Sequence, residues 1–109
     1  MRPMFERDET RDPVVQGDVL LWPIKAVPEG AEVQPGNRHV LAEGEVTGHA
    51  HVLEGAELAV LEAERIVTAA AGAALRHEDH GPIAVPPGAY RVIQQVENSP
   101  WGGFRAVAD

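Results

Sequence analysis

Val46-Thr47-Gly48-His49-Ala50-His51-Val52-Leu53, bracketed by Gly44-Glu45 and Glu54-Gly55, decides how the chain is read. The stretch is short, rich in β-branched residues and punctuated by glycine on both sides, which predicts a strand. In a strand, side chains at i and i+2 share a face, so His49, His51 and Leu53 point the same way. In a helix the two imidazoles would diverge. The strand reading therefore carries both the fold and the candidate chemistry.

Outward from this stretch the same punctuation repeats. Upstream, Gly17-Asp18 is a turn signal, Val19 to Trp22 reads as a strand ended by Pro23, and Pro28-Glu29-Gly30 breaks the chain again. Pro35-Gly36-Asn37 marks another turn before a strand over Arg38 to Glu43. Downstream, Ala73 to His77 reads as a strand after Gly72, with Ala73, Leu75 and His77 on one face. Glu78-Asp79-His80-Gly81-Pro82 is then a loop, and Pro86-Pro87-Gly88 a tight turn. From Ala89 to Glu97, Tyr90, Val92, Gln94 and Val96 alternate with Arg91, Ile93, Gln95 and Glu97, the clearest strand pattern in the chain. Trp101 lies in a loop between Asn98-Ser99-Pro100 and Gly102-Gly103, and Phe104 to Ala108 reads as a last short strand.

Residues 56–71 admit two readings. Their Ala, Glu and Leu content favours helix. Their apolar spacing does not settle on a 3.6-residue period, which favours a hairpin of strands near 57–62 and 65–70 turned at Ala63-Glu64. The expected fold is all-β, a small barrel or sandwich of about seven or eight short strands, with room for one short helix within 56–71. Residues 1–13 are charged and read as a flexible N-terminal arm, and 14–109 as one β-rich domain.

Composition narrows the partners. The chain has 109 residues, a hydrophobic fraction of 44% and an aromatic fraction of 5%, so Val, Leu, Ile and Ala must fill a single modest core. The net charge of −8 disfavours nucleic acid, whose affinity comes largely from cations that neutralise phosphate. With no cysteine there are no disulfides, thiolate nucleophiles or thiolate metal ligands. No run has the length of a signal peptide or a transmembrane helix, so the expected compartment is the cytoplasm, with no membrane partner. Short open sheets bury their edges by self-association, which makes a homo-oligomer the expected assembly.

Four of the five histidines fall in two tight pairs, His49/His51 and His77/His80. Two imidazoles on one strand face, about 6.5–7 Å apart at Cα, can lean onto a single ion. If His77 ends a strand on the Leu75 face and the loop folds back at Gly81-Pro82, His80 joins it. These four histidines are the candidate metal ligands, with Glu78 and Asp79 as carboxylates that orient an imidazole or offer an oxygen. Such a set suits Zn, Fe, Ni or Cu without choosing among them. The plainer reading is that the histidines bond backbone carbonyls and carboxylates and serve only packing. His39, alone beside Arg38, is expected on the surface. Trp22 and Tyr90 are expected in the core, and Trp101 is a candidate anchor for a protein partner.

Gly44-Glu45-Val46-Thr47-Gly48-His49-Ala50-His51 resembles the first metal motif of the cupins, and Pro86-Pro87-Gly88 resembles the turn of their second motif. That resemblance implies a β-barrel with a metal held by histidines and a glutamate, and only His49 and His51 match its ligands by motif. The longer pattern, Gly44 to His51 together with His77-Glu78-Asp79-His80-Gly81-Pro82-Ile83, resembles a group of small uncharacterised bacterial proteins. Two functions follow as expectations. One is a metal-binding barrel acting on a small molecule. The other is a non-catalytic interaction or self-assembly module with structural histidines.

Overall fold

The computed structural model describes residues 5–43, 50–98 and 104–106. Its regular elements are all strands: β1 (Val14–Gln16), β2 (Val19–Ile24), β3 (Glu32–Val33), β4 (Arg38–Glu43), β5 (Ala50–Leu61), β6 (Glu64–Arg76), β7 (Ile83–Ala84), β8 (Gly88–Gln94), β9 (Val96–Asn98) and β10 (Phe104–Ala106). Eight of them form one antiparallel sheet in the order β1-β2-β8-β6-β5-β3, with β4 added to β5 and β7 to β6; β9 and β10 pair separately. The all-β expectation holds. Among the described residues no helix is long and apolar enough to cross a membrane.

Residues 56–71 belong to the hairpin and not to a helix. Leu61 pairs with Glu64 across a two-residue turn at Glu62-Ala63, one position earlier than expected. Both turn residues have positive φ (48° and 68°), the backbone twist that a tight hairpin requires. Gly55, expected to close a strand, instead lies inside β5 at a bulge. The β5–β6 register jumps from Glu54↔Ala74 to Ala56↔Ala69, so Ala70 to Ala73 loop out opposite Gly55. Gly55 sits at φ 80°, and a Cβ there would stand 3.1 Å from the Ala73 Cα.

This bulge divides the two long strands into halves with different neighbours. The first half of β5 pairs with β4 and the end of β6, which in turn pairs with β7. The second half of β5 pairs with β3 and the start of β6, which pairs with β8. Both halves contribute to one core: Leu41, Leu53, Ala73, Leu75 and Val85 from one, Leu21, Val67, Tyr90 and Val92 from the other. The sheet thus bends over a single apolar interior.

A second, smaller cluster of Ile24, Ile66 and Ala89 occupies the other face of the β2-β8-β6 layer, with Phe5, Trp22 and Leu61 against it. Trp22 is therefore half-buried there, not in the main core as expected, and the Arg7 guanidinium lies 4.4 Å from its ring centroid. Residues from the N-terminal stretch run along this face. Asp8 N–H donates to the Pro23 carbonyl (3.0 Å), and the Arg11 guanidinium donates to the carbonyls of Ile24 and Ala89. β2 continues through Pro23 for a related reason. In an antiparallel strand a residue's N–H and C=O face the same side, and the Pro23 carbonyl faces Asp8, so the missing N–H falls outside the β8 ladder.

Candidate functional site

The site is assembled where the β1–β2 turn, the start of β5 and the end of β6 meet. Gln16 pairs with Val19, so the turn is the two-residue Gly17-Asp18, with Gly17 at φ 57°. Alternation along β1 puts Gln16 on the inward face with Val14, and both Gln16 and Asp18 are buried. Asp18 is tied down from β8 and the residue after it. The Gln94 amide donates to Asp18 Oδ2 (2.8 Å), and Gln95 N–H donates to the Asp18 carbonyl (2.7 Å).

On β5, His51 and Leu53 are both fully buried, as the period of two requires. On β6, Ala73 and Leu75 point inward and His77 follows them, 8% exposed, just past the strand. The loop folds back as the Gly81-Pro82 signal suggested and brings in His80. Ring centroids of His51 and His77 are 4.2 Å apart, those of His77 and His80 4.7 Å, and those of His51 and His80 6.1 Å. Three of the four expected histidines therefore meet in one small space. His49 and Trp101 lie outside the described residues.

Hydrogen bonds fix the role of Nδ1 in two rings. The Gln16 Nε2 group gives its two protons to the carbonyls of Leu75 and Gly81, both at 3.1 Å. Gln16 Oε1 is then left to face His51 Nδ1 at 3.0 Å, so Nδ1 must be the donor. That leaves His51 Nε2 toward Asp18 Oδ1, 3.2 Å away. His77 is set the opposite way. Asp79 N–H donates to its Nδ1 at 3.0 Å, so the neutral ring carries its proton on Nε2. In this arrangement His51 has Nε2 beside the carboxylate, whereas His77 coordinates an ion only after giving up the Asp79 bond.

Two contacts are seen for the carboxylate residues expected to orient an imidazole. Glu78 is exposed and its Oε2 accepts from Ala50 N–H at 3.1 Å, tying the loop to the start of β5. Asp79, also exposed, acts on His77 through its backbone N–H. His39 departs from expectation: it is buried, on the β4 position opposite Leu53, with Nε2 3.0 Å from the Gly36 carbonyl, so it closes the Pro35-Gly36-Asn37 turn. Gln16 and Asp18 were missed as site residues because Gly17-Asp18 reads as an ordinary turn. The available signal was Gln16 in phase with Val14, a polar residue on an apolar strand face.

Beside the cluster lies an open cavity of about 320 Å³, lined by Arg38, Val52, Glu54, Arg76, His77 and Glu78. Glu54, the first glutamate after the His-Ala-His stretch, bonds Arg76 and lies 3.7 Å from Arg38 at the exposed surface, so it does not turn toward the rings. Among the described residues, no three His, Asp or Glu side chains form a ready-made metal cage.

No curated protein and no solved structure shows significant similarity to the chain. The family match is not to the cupins. The likeness to small proteins of unknown role is upheld instead. The chain belongs to the family described as Domain of unknown function (DUF8820), whose model matches residues 15–95.

Proposed function

We propose that this domain binds one divalent transition-metal ion through its histidine cluster, with His51, His80 and His49 as nitrogen ligands and His77 packed against them. What carries the reading is the convergence of the His51, His77 and His80 rings, from distant segments, within 4.2 to 6.1 Å of one another beside a buried carboxylate. Imidazole and carboxylate are the donors that Zn²⁺ and Fe²⁺ accept. The cavity that reaches His77 gives a small molecule an approach, and a bound ion of this kind activates water or polarises a carbonyl. His77 becomes a further ligand where its Asp79 bond is released.

The test is direct. Protein stripped with chelator is titrated calorimetrically with Zn²⁺ and with anaerobic Fe²⁺, and metal is counted by elemental analysis after desalting. One ion per chain in the wild type, lost in the His49→Ala/His51→Ala double variant, is the expected result. No bound ion, and no rise in unfolding temperature on adding either metal, overturns the proposal. The histidines would then be internal hydrogen-bonding groups of an assembly module.

A further inference from the structure

We infer that the chain pairs with a second copy of itself along the free edge of β4, where Arg38 and Val40 of one copy bond Val40 and Arg38 of the other. The pairing needs no ion and does not depend on the histidine cluster.

β4 pairs with β5 on one side, and among the described residues no strand pairs with its other side. Which backbone groups face that side follows from one bond. Gly55 N–H donates to the Asn37 carbonyl (2.9 Å), flanking the Arg38↔Glu54 pair. In an antiparallel ladder a pair flanked in this way exchanges no bonds of its own, and the two kinds of pair alternate. His39 therefore bonds Leu53, whereas Arg38 and Val40 turn N–H and C=O away from β5. The free edge stops there at both ends. Gly36 is in a turn at φ 90°, and the bulge between Val40 and Ala42 puts Ala42 in a bonded pair with His51.

Each copy thus offers two N–H and two C=O groups, from positions two residues apart. That is the spacing of bonded pairs in an antiparallel ladder. A two-fold axis beside His39 sets Arg38 of each copy against Val40 of the other, so every one of these groups finds a partner. The β7-β6-β5-β4 layers of the two copies then join into one continuous sheet.

The side chains agree with this register. Arg38 and Val40 both stand on the solvent side of β4, and Val40 is 44% exposed. Cross-strand pairing lays each Arg38 stem over the other copy's Val40 and covers it. Each Arg38–Glu54 pair then faces the other copy's Val40–Val52 pair. Glu54 lies 3.7 Å from the Arg38 guanidinium, so neither copy brings an unpaired cation to the seam. A second copy fits this edge better than an unrelated extended segment, because its donors, acceptors and side chains are complementary to themselves. The contact is short, which places the association at the weak end of specific interfaces.

Sedimentation velocity of the wild type over about 1 µM to 1 mM, the span of moderate to weak affinity, should show monomer passing to dimer. Val40→Pro removes an N–H that β5 does not use, and proline is accepted at such edge positions, so circular dichroism should show the fold retained. This variant should stay monomeric across the range. Val33→Pro is the matched control. Val33 is exposed on β3, and Gln34 N–H bonds the Leu58 carbonyl beside the Val33↔Ala59 pair, so the Val33 N–H also faces away from β5. It should dimerise as the wild type does. A monomeric wild type overturns the inference, as does a Val40→Pro that dimerises like the wild type, or loss of the dimer in Val33→Pro. Should Val40→Pro fail to fold, amide exchange of the wild type decides. Arg38 and Val40 N–H groups that are protected at high concentration and exposed at low support the pairing, and exchange independent of concentration refutes it.

Discussion

Replacing Gln16 with leucine should destabilise the domain in the absence of any metal, and the structure sets the size of the effect. The side chain is 2% exposed and links three segments: Leu75 on β6, Gly81 in the following loop, and His51 on β5. Leucine fills similar volume but makes none of these bonds. The Gly81 carbonyl belongs to an exposed residue, and water can replace its partner at little cost. The Leu75 carbonyl is deep in the core, and an unsatisfied buried group costs about 1–3 kcal/mol. His51 loses the acceptor of its Nδ1 proton. The sum is about 2 kcal/mol, or about 8–16 °C in Tm at the usual scaling for a domain of this size. Urea unfolding with chelator present, followed by circular dichroism, measures it without metal linkage. Gln16→Glu sharpens the test: it keeps the shape but sets a carboxylate against two carbonyl oxygens, so it should cost more than leucine. If both variants lie within about 0.5 kcal/mol of wild type, the ordinary range for surface changes, the anchoring role of Gln16 is refuted.

Two further outcomes follow from the backbone and from the N-terminal stretch. Gly55→Ala and Gly72→Ala both place a side chain at positive φ, and both gain the same restriction of the unfolded chain, so their difference isolates crowding. Gly55 meets the Ala73 backbone at 3.1 Å whereas Gly72 faces open space, so the first variant should unfold at lower urea, by about 1 kcal/mol more. Bonds from Thr10 and Arg11 hold the Asp8 carboxyl down to about 2. A depressed carboxyl contributes stability that is whole above its unfolded value of about 3.9 and is lost as pH falls toward 2. Asp8→Asn should therefore be less stable than wild type at pH 6, with the gap closing by pH 1.5. A carboxyl titration by NMR midway near 4 would contradict this.

The parts of the fold that were legible in the sequence are those where the period of two meets a buried face. His51 with Leu53, Ala73 with Leu75 and His77, and Tyr90 with Val92 all point inward as alternation requires. The β5–β6 hairpin was ambiguous because its residues are good helix formers and its turn, Glu62-Ala63, carries no glycine; pairing with β3, β4 and β8 decides the matter. β3 and β7 are two residues each, defined only by the strand beside them. Gly55 and Pro23 look like terminators, yet one makes a bulge and the other directs its missing N–H away from the ladder. At the site, the histidine pairs could be read from spacing. Asp18 and Gln16 could not, because their burial depends on β8 and the 75–81 segment closing over a turn that, by itself, belongs at the surface.

A small domain with few aromatics has little stability to spare, and polar groups in its interior are costly unless each is satisfied. Gln16 is satisfied at every atom, so it belongs to the scaffold and its removal must destabilise. Asp18 is satisfied at one oxygen, and its other oxygen has no hydrogen bond among the described residues and lies 3.2 Å from His51 Nε2. In chelator, Asp18→Asn should leave stability unchanged or raise it, because the amide keeps an oxygen for Gln94 and exchanges a buried oxygen that has no hydrogen bond for a donor. Gln16 and Asp18, on either side of Gly17, should thus respond differently. A stabilising Asp18→Asn would mean that folding bears a local cost at this turn. A destabilising one would mean that the His51–Asp18 contact is a structural ion pair, and that the cluster is simply part of the core.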